Sequence, residues 1–215
     1  MISRRIKLLA SLINEEDKVL DVGTDHGFLP IYLIKNNITN VADGSDVSEE
    51  ILENAACNMR KYGVWDKINL YLTNGLEKID LSQYNTLVIA GMGYSTIKDI
   101  LRLNNKEYIK KMIIQTNNDY DKLRTYLVEN GYKIEKEICF KERNINYIIF
   151  IVISENSKLS REEILCGIYN PDNVWYYKET VDKLKEINKK IPHTNHEKRE
   201  LFDYMIMVYS DYITR

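Results

Sequence analysis

Ile2, Ile6, Leu9 and Ile13 recur at spacings of four, three and four, the period of a helix with one apolar face. Strand-like and helix-like stretches then alternate. "KVLDV" (18–22) is a short apolar run, and "FLPIYLIKN" (28–36) turns helical. "NVADGSD" (40–46) predicts a second strand. It is followed by a helix with Ser48 as N-cap and Gly63 just past its end. "KINLYL" (67–72), "YNTLVIAGMG" (84–93) and "KKMIIQT" (110–116) continue the strand series, with helices "STIKDILRL" (95–103) and "DYDKLRTYLVENG" (119–131) between and after them. Two runs, "YKIEKEICF" and "NYIIFIVIS", close the region with "KERN" as hairpin punctuation. Near-continuous apolar strands alternating with helices predict an α/β fold, a parallel sheet covered on both faces that ends in an antiparallel pair.

After about residue 155 the pattern changes. "SREEILCGIY" is helical and "NPDNV" breaks it. Val181, Leu184, Ile187 and Ile191 form one stripe, and Leu201, Met205, Val208 and Tyr212 another, with "PHTNH" between them. Two apolar seams joined by a short turn predict an antiparallel helical hairpin packed on the sheet. The expected division is therefore 1–155 and 156–215.

Composition narrows the picture only modestly. The chain has 215 residues, 44% of them hydrophobic and 29% charged, with a formal net charge of −2. That suits one sizeable domain with an appendage and excludes a uniformly basic nucleic-acid clamp. Cys57, Cys139 and Cys166 have no C-x-x-C spacing, and the first residues carry no signal-peptide pattern, so they read as reduced thiols in a cytoplasmic protein. No run is long enough to span a bilayer. His193 and His196 sit three apart with no cysteine near, which points to surface histidines and no metal site.

The chemistry concentrates at strand ends. "DVGTDHGFLP" follows the first strand where a dinucleotide loop would read G-x-G-x-x-G. Gly23 permits a sharp turn and Gly27 a close approach of helix and ligand, but Asp25 stands where the second glycine belongs. Asp21 and Asp25 would repel a pyrophosphate. A cofactor carrying an ammonium and a sulfonium, such as S-adenosylmethionine, suits them better. Asp46, 23 residues after Gly23 where about 20 is usual, suits the ribose hydroxyls; Asp43 competes for that role. Asn74 and Gly75 stand after the third strand, where an amide that both donates and accepts can pair with adenine. In "VIAGMGY" the glycines around Met92 let backbone lie against a ligand. Tyr94 either stacks on a base or packs on the next loop. His26 either orients an acidic neighbour or bonds backbone at the turn.

"DVGTDHGFLP", "NGLEKI", "VIAGMG" and "IIQTN", in this order, resemble the TrmK family. Its members are bacterial methyltransferases that use S-adenosylmethionine to methylate N1 of the adenine at tRNA position 22. The resemblance spans essentially the whole chain. It implies a Rossmann-like, seven-stranded class I methyltransferase sheet with a small C-terminal helical hairpin. It also implies that Asp21, Gly23, Asp25 and Gly27, with Thr24 and His26, hold the methionyl side of the cofactor. Asp46 and Val47 then meet the ribose, Asn74 and Gly75 the adenine, and Gly91, Met92 and Gly93 lie beside the methyl group. The candidate catalytic set is Asp21, Asp25, His26, Met92 and Tyr94. Three positions depart from the family pattern: Asn74 replaces Asp, Tyr94 replaces a second Gly, and Thr116 replaces Pro after Gln115.

Adenine N1 is already a lone-pair nucleophile, so orientation is the main lever and can supply ~7–11 kcal/mol. The base must be unpaired or turned out of its stack to expose N1. The tRNA would have to meet local patches: Arg4, Arg5 and Lys7; Lys141 and Arg143; and Lys189, Lys190, Lys198 and Arg199. Runs of this kind are usually solvated faces. Two other readings remain: an RNA-binding protein on this fold without turnover, and a transferase acting on a small molecule or protein. Sequence does not set the oligomeric state; a monomer is the working expectation.

Overall fold

The computed structural model describes residues 2–102 and 107–215. Met1 and Leu103, the last residue of the expected helix 95–103, lie outside them. The chain runs α1 (Arg4–Ala10), β1 (Lys18–Val22), α2 (Phe28–Lys35), β2 (Val41–Asp46), α3 (Glu49–Tyr62), β3 (Leu70–Leu72) and β4 (Thr86–Met92). It continues through α4 (Tyr94–Arg102), β5 (Lys111–Thr116), α5 (Tyr120–Glu129), β6 (Lys133–Glu142) and β7 (Ile145–Ile153) to α6 (Arg161–Cys166), α7 (Val174–Lys190) and α8 (His196–Thr214).

The seven strands form one sheet in the order β3-β2-β1-β4-β5-β7-β6. β7 alone runs antiparallel to its neighbours β5 and β6. Strand order reverses between β1 and β4, so the crevice at their carboxyl ends is the topological switch point where such sheets bind ligands. Apolar side chains fill both faces. Val19, Val88, Ile113 and Ile149 lie under α1, α2 and α3, while Leu20, Leu87, Ile114 and Phe150 lie under α4 and α5.

Local chemistry explains the element ends. Ser48 caps α3 by accepting from Ile51 N–H, and Gly63 ends it with φ 73°. α1 is shorter than its apolar stripe because Asp17 accepts from the Asn14 N–H and turns the chain, although Ile13 stays buried. β3 starts late for a similar reason: the Asn69 N–H goes to the Asp43 carboxylate. The β6–β7 turn is tighter than the four residues "KERN". Only Arg143 and Asn144 turn, both at positive φ (49° and 64°), as a two-residue hairpin requires.

The C-terminal helices form the expected hairpin, but their seam is largely tyrosine. Tyr177 sits 5.3 Å from Tyr212 and 5.7 Å from Tyr209, ring centre to ring centre, among buried Val181, Leu184 and Val208. Ile187, assigned to the seam by spacing, is 37% exposed and lines a groove with Ile145 and Lys183 instead. The hairpin is fastened to edge strand β6 by polar groups. Arg124 of α5 makes two 2.8 Å bonds to the Glu137 carboxylate and donates to the Ile164 carbonyl at 3.0 Å. Asn170 and Asn173 donate side-chain N–H groups to the Glu137 carbonyl, and Asn173 Oδ1 accepts from Cys139 N–H. These amides take the place of a neighbouring strand and cover an edge that would otherwise be free to pair. No helix among the described residues is long and apolar enough to cross a membrane.

Candidate active site

The crevice holds a cavity of about 280 Å3 at the carboxyl ends of β1, β2 and β4. Val22 and Gly23 form its floor, Ser45, Asp46 and Val47 one side, and Thr73, Asn74 and Gly75 the next. Met92, Thr96, Asp99 and Ile100 close it from β4 and α4. The volume sits at the lower edge of the usual ~300–1,000 Å3 for ligand pockets, which suits a nucleoside with a tail running outward.

The loop after β1 is built like a glycine loop without being one. Gly23, Asp25 and Gly27 all adopt positive φ (73°, 52° and 70°). Asp is among the few residues that tolerate this conformation, so Asp25 keeps the glycine backbone and adds a carboxylate. Gly23 and Thr24 N–H both donate to the Ser45 carbonyl, at 2.8 and 2.9 Å, which locks the loop onto β2. Gly27 meets a protein neighbour where a ligand was expected: a Cβ there would lie 3.1 Å from Ala55 Cβ, so its smallness seats α2 on α3. Gly44, which sequence reasoning passed over, does comparable work. A Cβ on it would press on Thr24 at 2.8 Å.

The two candidate ribose carboxylates are separated by their partners. Asp43 is buried and fully engaged, accepting from Asn69 N–H, the Asn69 amide and the Tyr84 hydroxyl (2.6 Å). Asp46 accepts from Ser48 N–H at 3.1 Å and turns to the cavity. Beside it Ser45 Oγ is buried without a partner among the described residues. A diol can use both groups. With carboxylates and no basic side chain lining the cavity, the donor set fits S-adenosylmethionine and not a pyrophosphate.

Asp21, at the back of the β1 loop, accepts the Thr24 hydroxyl at 2.7 Å. Burial pushes its carboxyl up to about 6; the Thr24 hydrogen bond and the Arg5 guanidinium pull against that, while Asp46 and Asp25 add to it. A raised pKa in the folded chain means stability that is present below the ordinary carboxylate value and lost as pH rises through about 6. Asp21→Asn is expected to remove this loss, which amounts to about 2 kcal/mol between about pH 4 and pH 7. Urea denaturation of both proteins at the two pH values measures it; parallel pH profiles would contradict it.

His26 projects into solvent with its Nε2 3.6 Å from Asp25 and its ring 5.6 Å from Phe28. Among the described residues its imidazole bonds no backbone; its carbonyl is instead held by the Asn58 amide. Gly91 forms a bulge where β4 meets β5, and its carbonyl accepts from the Asn117 amide at 2.7 Å. Gly93 leads into α4, whose Tyr94 N–H is bonded by Asn118 Oδ1. The Tyr94 ring lies away from the cavity, in the α4–α5 groove beside Lys98 and Tyr126, so it packs on a neighbour and does not face the crevice. Thr116 ties Met92 and Asn118 carbonyls together through its hydroxyl. Tyr94 and Thr116 do not line the cavity, whereas Asn74, the third departure from the family pattern, does.

The basic residues separate into four situations. Arg4 reaches the Lys141 carbonyl, so α1 and the hairpin end near Arg143 form one surface with Lys7 exposed on the same helix. Lys141 is paired with Glu179 of α7 at 2.8 Å. Lys189, Lys190, Lys198 and Arg199 gather at the α7–α8 turn, where Arg199 meets His193 at 2.7 Å and Lys189 meets Glu186. Arg5 is different: it is half-buried, with its guanidinium against Gly91. Thr96, Asp99 and Ile100 were missed from sequence, although their three- and four-residue spacing puts them on one face of the helix that follows "AGMG".

A doubly wound sheet with one reversed strand and an acidic, phosphate-averse crevice at its switch point defines a class I methyltransferase. Residues 2–150 match the family model described as a methyltransferase domain. A Streptococcus pneumoniae candidate tRNA (m1A22) methyltransferase is 31% identical, with a TM-score of 0.89 over 99% of this chain and 100% of that one. The TrmK of M. capricolum, solved with S-adenosyl-homocysteine, is also 31% identical, with a TM-score of 0.83 over 100% and 98% of the two chains. The Bacillus subtilis tRNA (adenine(22)-N(1))-methyltransferase is 26% identical over 155 residues, 70% of this chain and 64% of that one. The chain belongs to the TrmK family.

Proposed function

We infer that the protein transfers a methyl group from S-adenosylmethionine to N1 of the adenine at position 22 of tRNA. The observation that carries this reading is the crevice at the β1–β4 switch point, where Asp46, Asp99 and a Ser45 hydroxyl without a partner among the described residues surround a cavity floored by Gly23. Likeness to tRNA (m1A22) methyltransferases along nearly the full chain supports the substrate. Bound there, the cofactor supplies an electrophilic methyl carbon on a sulfonium. Asp46 holds the ribose, Asn74 and Gly75 flank the adenine, and Met92 lies across Gly23 where the methyl group would be presented. Asp21 and Asp25 set a negative field toward a cationic donor and toward the positive charge that forms on the methylated base. No side chain has to remove a proton from N1 before attack, so the protein's work is orientation and exclusion of water.

Residues 1–155 form the transferase unit in this reading, and residues 156–215 an appendage that extends its surface toward the tRNA body. Arg4, Lys7 and Arg143 offer one phosphate-facing patch. Lys189, Lys190, Lys198 and Arg199 offer another, roughly 15 Å along α7 from the Lys141–Glu179 contact by helix rise. In the deciding experiment, purified protein, unmodified tRNA transcript and methyl-labelled cofactor are incubated together. Digestion of the tRNA is expected to yield labelled 1-methyladenosine, at position 22 alone. Label in another nucleoside, or tRNA that accepts none, overturns the assignment.

A further inference from the structure

Met92 stands between two glycines, the residues with the widest backbone freedom. The β4–β5 ladder also skips a residue there. Ala90 pairs with Gln115 and Met92 with Thr116, so Gly91 bulges out at φ 89°. A bulged residue drops out of the ladder, and its carbonyl must find a partner elsewhere. Yet this turn forms one wall of the crevice, where Met92 reaches across Gly23. A wall built on a bulge and two glycines needs an outside support.

The support comes from the two residues that follow β5. Asn117 N–H donates to the Met92 carbonyl at 2.8 Å, and the Asn117 side-chain amide donates to the Gly91 carbonyl at 2.7 Å. Asn118 Oδ1 accepts from Tyr94 N–H at 2.9 Å, at the first residue of α4, where a helix leaves its donors unpaired. Gln115 is fully buried and sets the first of these amides. Its Nε2 donates to the Thr116 carbonyl at 2.9 Å and to Asn117 Oδ1 at 3.0 Å. A backbone carbonyl stands at each end of this relay, Thr116 at one and Gly91 at the other. Carbonyls only accept, so both amides can point only one way round. Asn117 therefore serves the turn as a donor and Asn118 as an acceptor.

We propose that Asn117 and Asn118 are positioning residues for methyl transfer: they fix the Gly91–Tyr94 turn, and through it Met92, against the crevice, with Gln115 orienting Asn117. This role deepens the methyltransferase reading above and depends on it. Orientation is the main lever in a reaction that needs no base, and a displacement of about 1 Å at the reacting atoms can cost about 100-fold in rate. Neither asparagine lines the cavity. Their loss should therefore lower kcat and leave cofactor affinity nearly intact.

The same change at the two sites tests this, because aspartate has the size of asparagine, still accepts and no longer donates. Asn117→Asp is expected to lower kcat for tRNA methylation by about 10- to 100-fold. Its Kd for S-adenosylmethionine by calorimetry and its KM for tRNA should stay within about 3-fold of wild type. Asn117→Ala removes the same donor without adding charge and should lower kcat in the same direction. Asn118→Asp should bring back, to within about 3-fold of wild type, the kcat that Asn118→Ala loses, since its carboxylate still accepts from Tyr94 N–H. Hydrogen exchange of the 91–94 backbone, measured without cofactor or tRNA, reads the support itself. It should be at least about 10-fold faster in Asn117→Asp and Asn118→Ala and near wild type in Asn118→Asp. Exchange unchanged in all variants overturns the proposal alone. So does a cofactor affinity that falls in step with kcat, which would make the asparagines mere supports of the cavity. A raised KM for tRNA with unchanged kcat at both sites also overturns it and assigns them to the RNA surface. A wild type that transfers no methyl group brings down the methyltransferase reading, and the proposal with it. Thermal melting checks that each variant is folded.

Discussion

Asp46→Ala is expected to weaken S-adenosylmethionine binding by at least about 100-fold, since hydrogen bonds to a charged carboxylate contribute about 1.5–3 kcal/mol each and a diol makes two. The substitution removes the one β2 carboxylate that faces the cavity, because Asp43 is held by Asn69 and Tyr84. Asp46 also accepts from Ser48 N–H at the start of α3, so a loss of stability of about 1 kcal/mol should accompany the change. Asp46→Asn keeps one acceptor and loses the charge, and should bind with intermediate affinity. Calorimetry at a temperature where the variants remain folded separates the two effects. An affinity within about 3-fold of wild type for Asp46→Ala would show that the ribose is held elsewhere.

Arg124→Met should cost about 3–5 kcal/mol of folding stability, the largest effect of any single substitution considered. The reason is burial: Arg124 and Glu137 are 2% and 3% exposed, and removing one leaves the other charged and unpaired. Glu137 also accepts from Ile168 N–H, and Gly167 lies so close that a Cβ there would sit 2.5 Å from Glu137 Oε2. The ion pair therefore holds the chain between α6 and α7 against the sheet as well as joining α5 to β6. The double variant Arg124→Met/Glu137→Leu should lose less than the sum of the single changes, because no buried charge is then stranded. Its residual cost comes from the Ile164 carbonyl and Ile168 N–H, which lose their partners. Urea denaturation of the three variants measures this coupling. Single variants that each cost less than about 1 kcal/mol would show that water reaches the pair.

The alternation of strands and helices was legible because it depends on near neighbours. Ser48 and Gly63 act through bonds three or four residues away, and the apolar runs of β1, β4 and β5 needed only to be continuous. The two-residue turn at Arg143–Asn144 was harder to see, since neither residue is glycine. Tyrosine abundance carried no meaning in one dimension. In the folded chain it is the core of the C-terminal hairpin, where Tyr177, Tyr209 and Tyr212 pack tilted and edge-on between helices joined by a short turn.

At the crevice, the motifs were enough to name the loop, the ribose acid and the glycine-rich strand end. Their residue types are dictated by contacts within a few positions: Asp25 had to be a residue that accepts positive φ, and Asp46 had to end β2. Charge alone excluded a phosphate-bearing ligand. What spacing could not resolve was which of several similar side chains meets its partner across the sheet. Asp43 and Asp46 differ by three positions, yet Tyr84, 41 residues from Asp43, decides that Asp43 is structural. Arg4, Arg5 and Lys7 look like one basic face, but docking of α1 at the end of β6 turns Arg5 inward and leaves the other two outside. Arg124 and Glu137 carried no local signal at all, because a buried ion pair is defined by what surrounds it. Backbone preference and net charge act over a few residues and can be read along the chain. The burial of a charge depends on the packing of segments remote in sequence, and it becomes visible only when the sheet, α1 and the C-terminal helices are assembled.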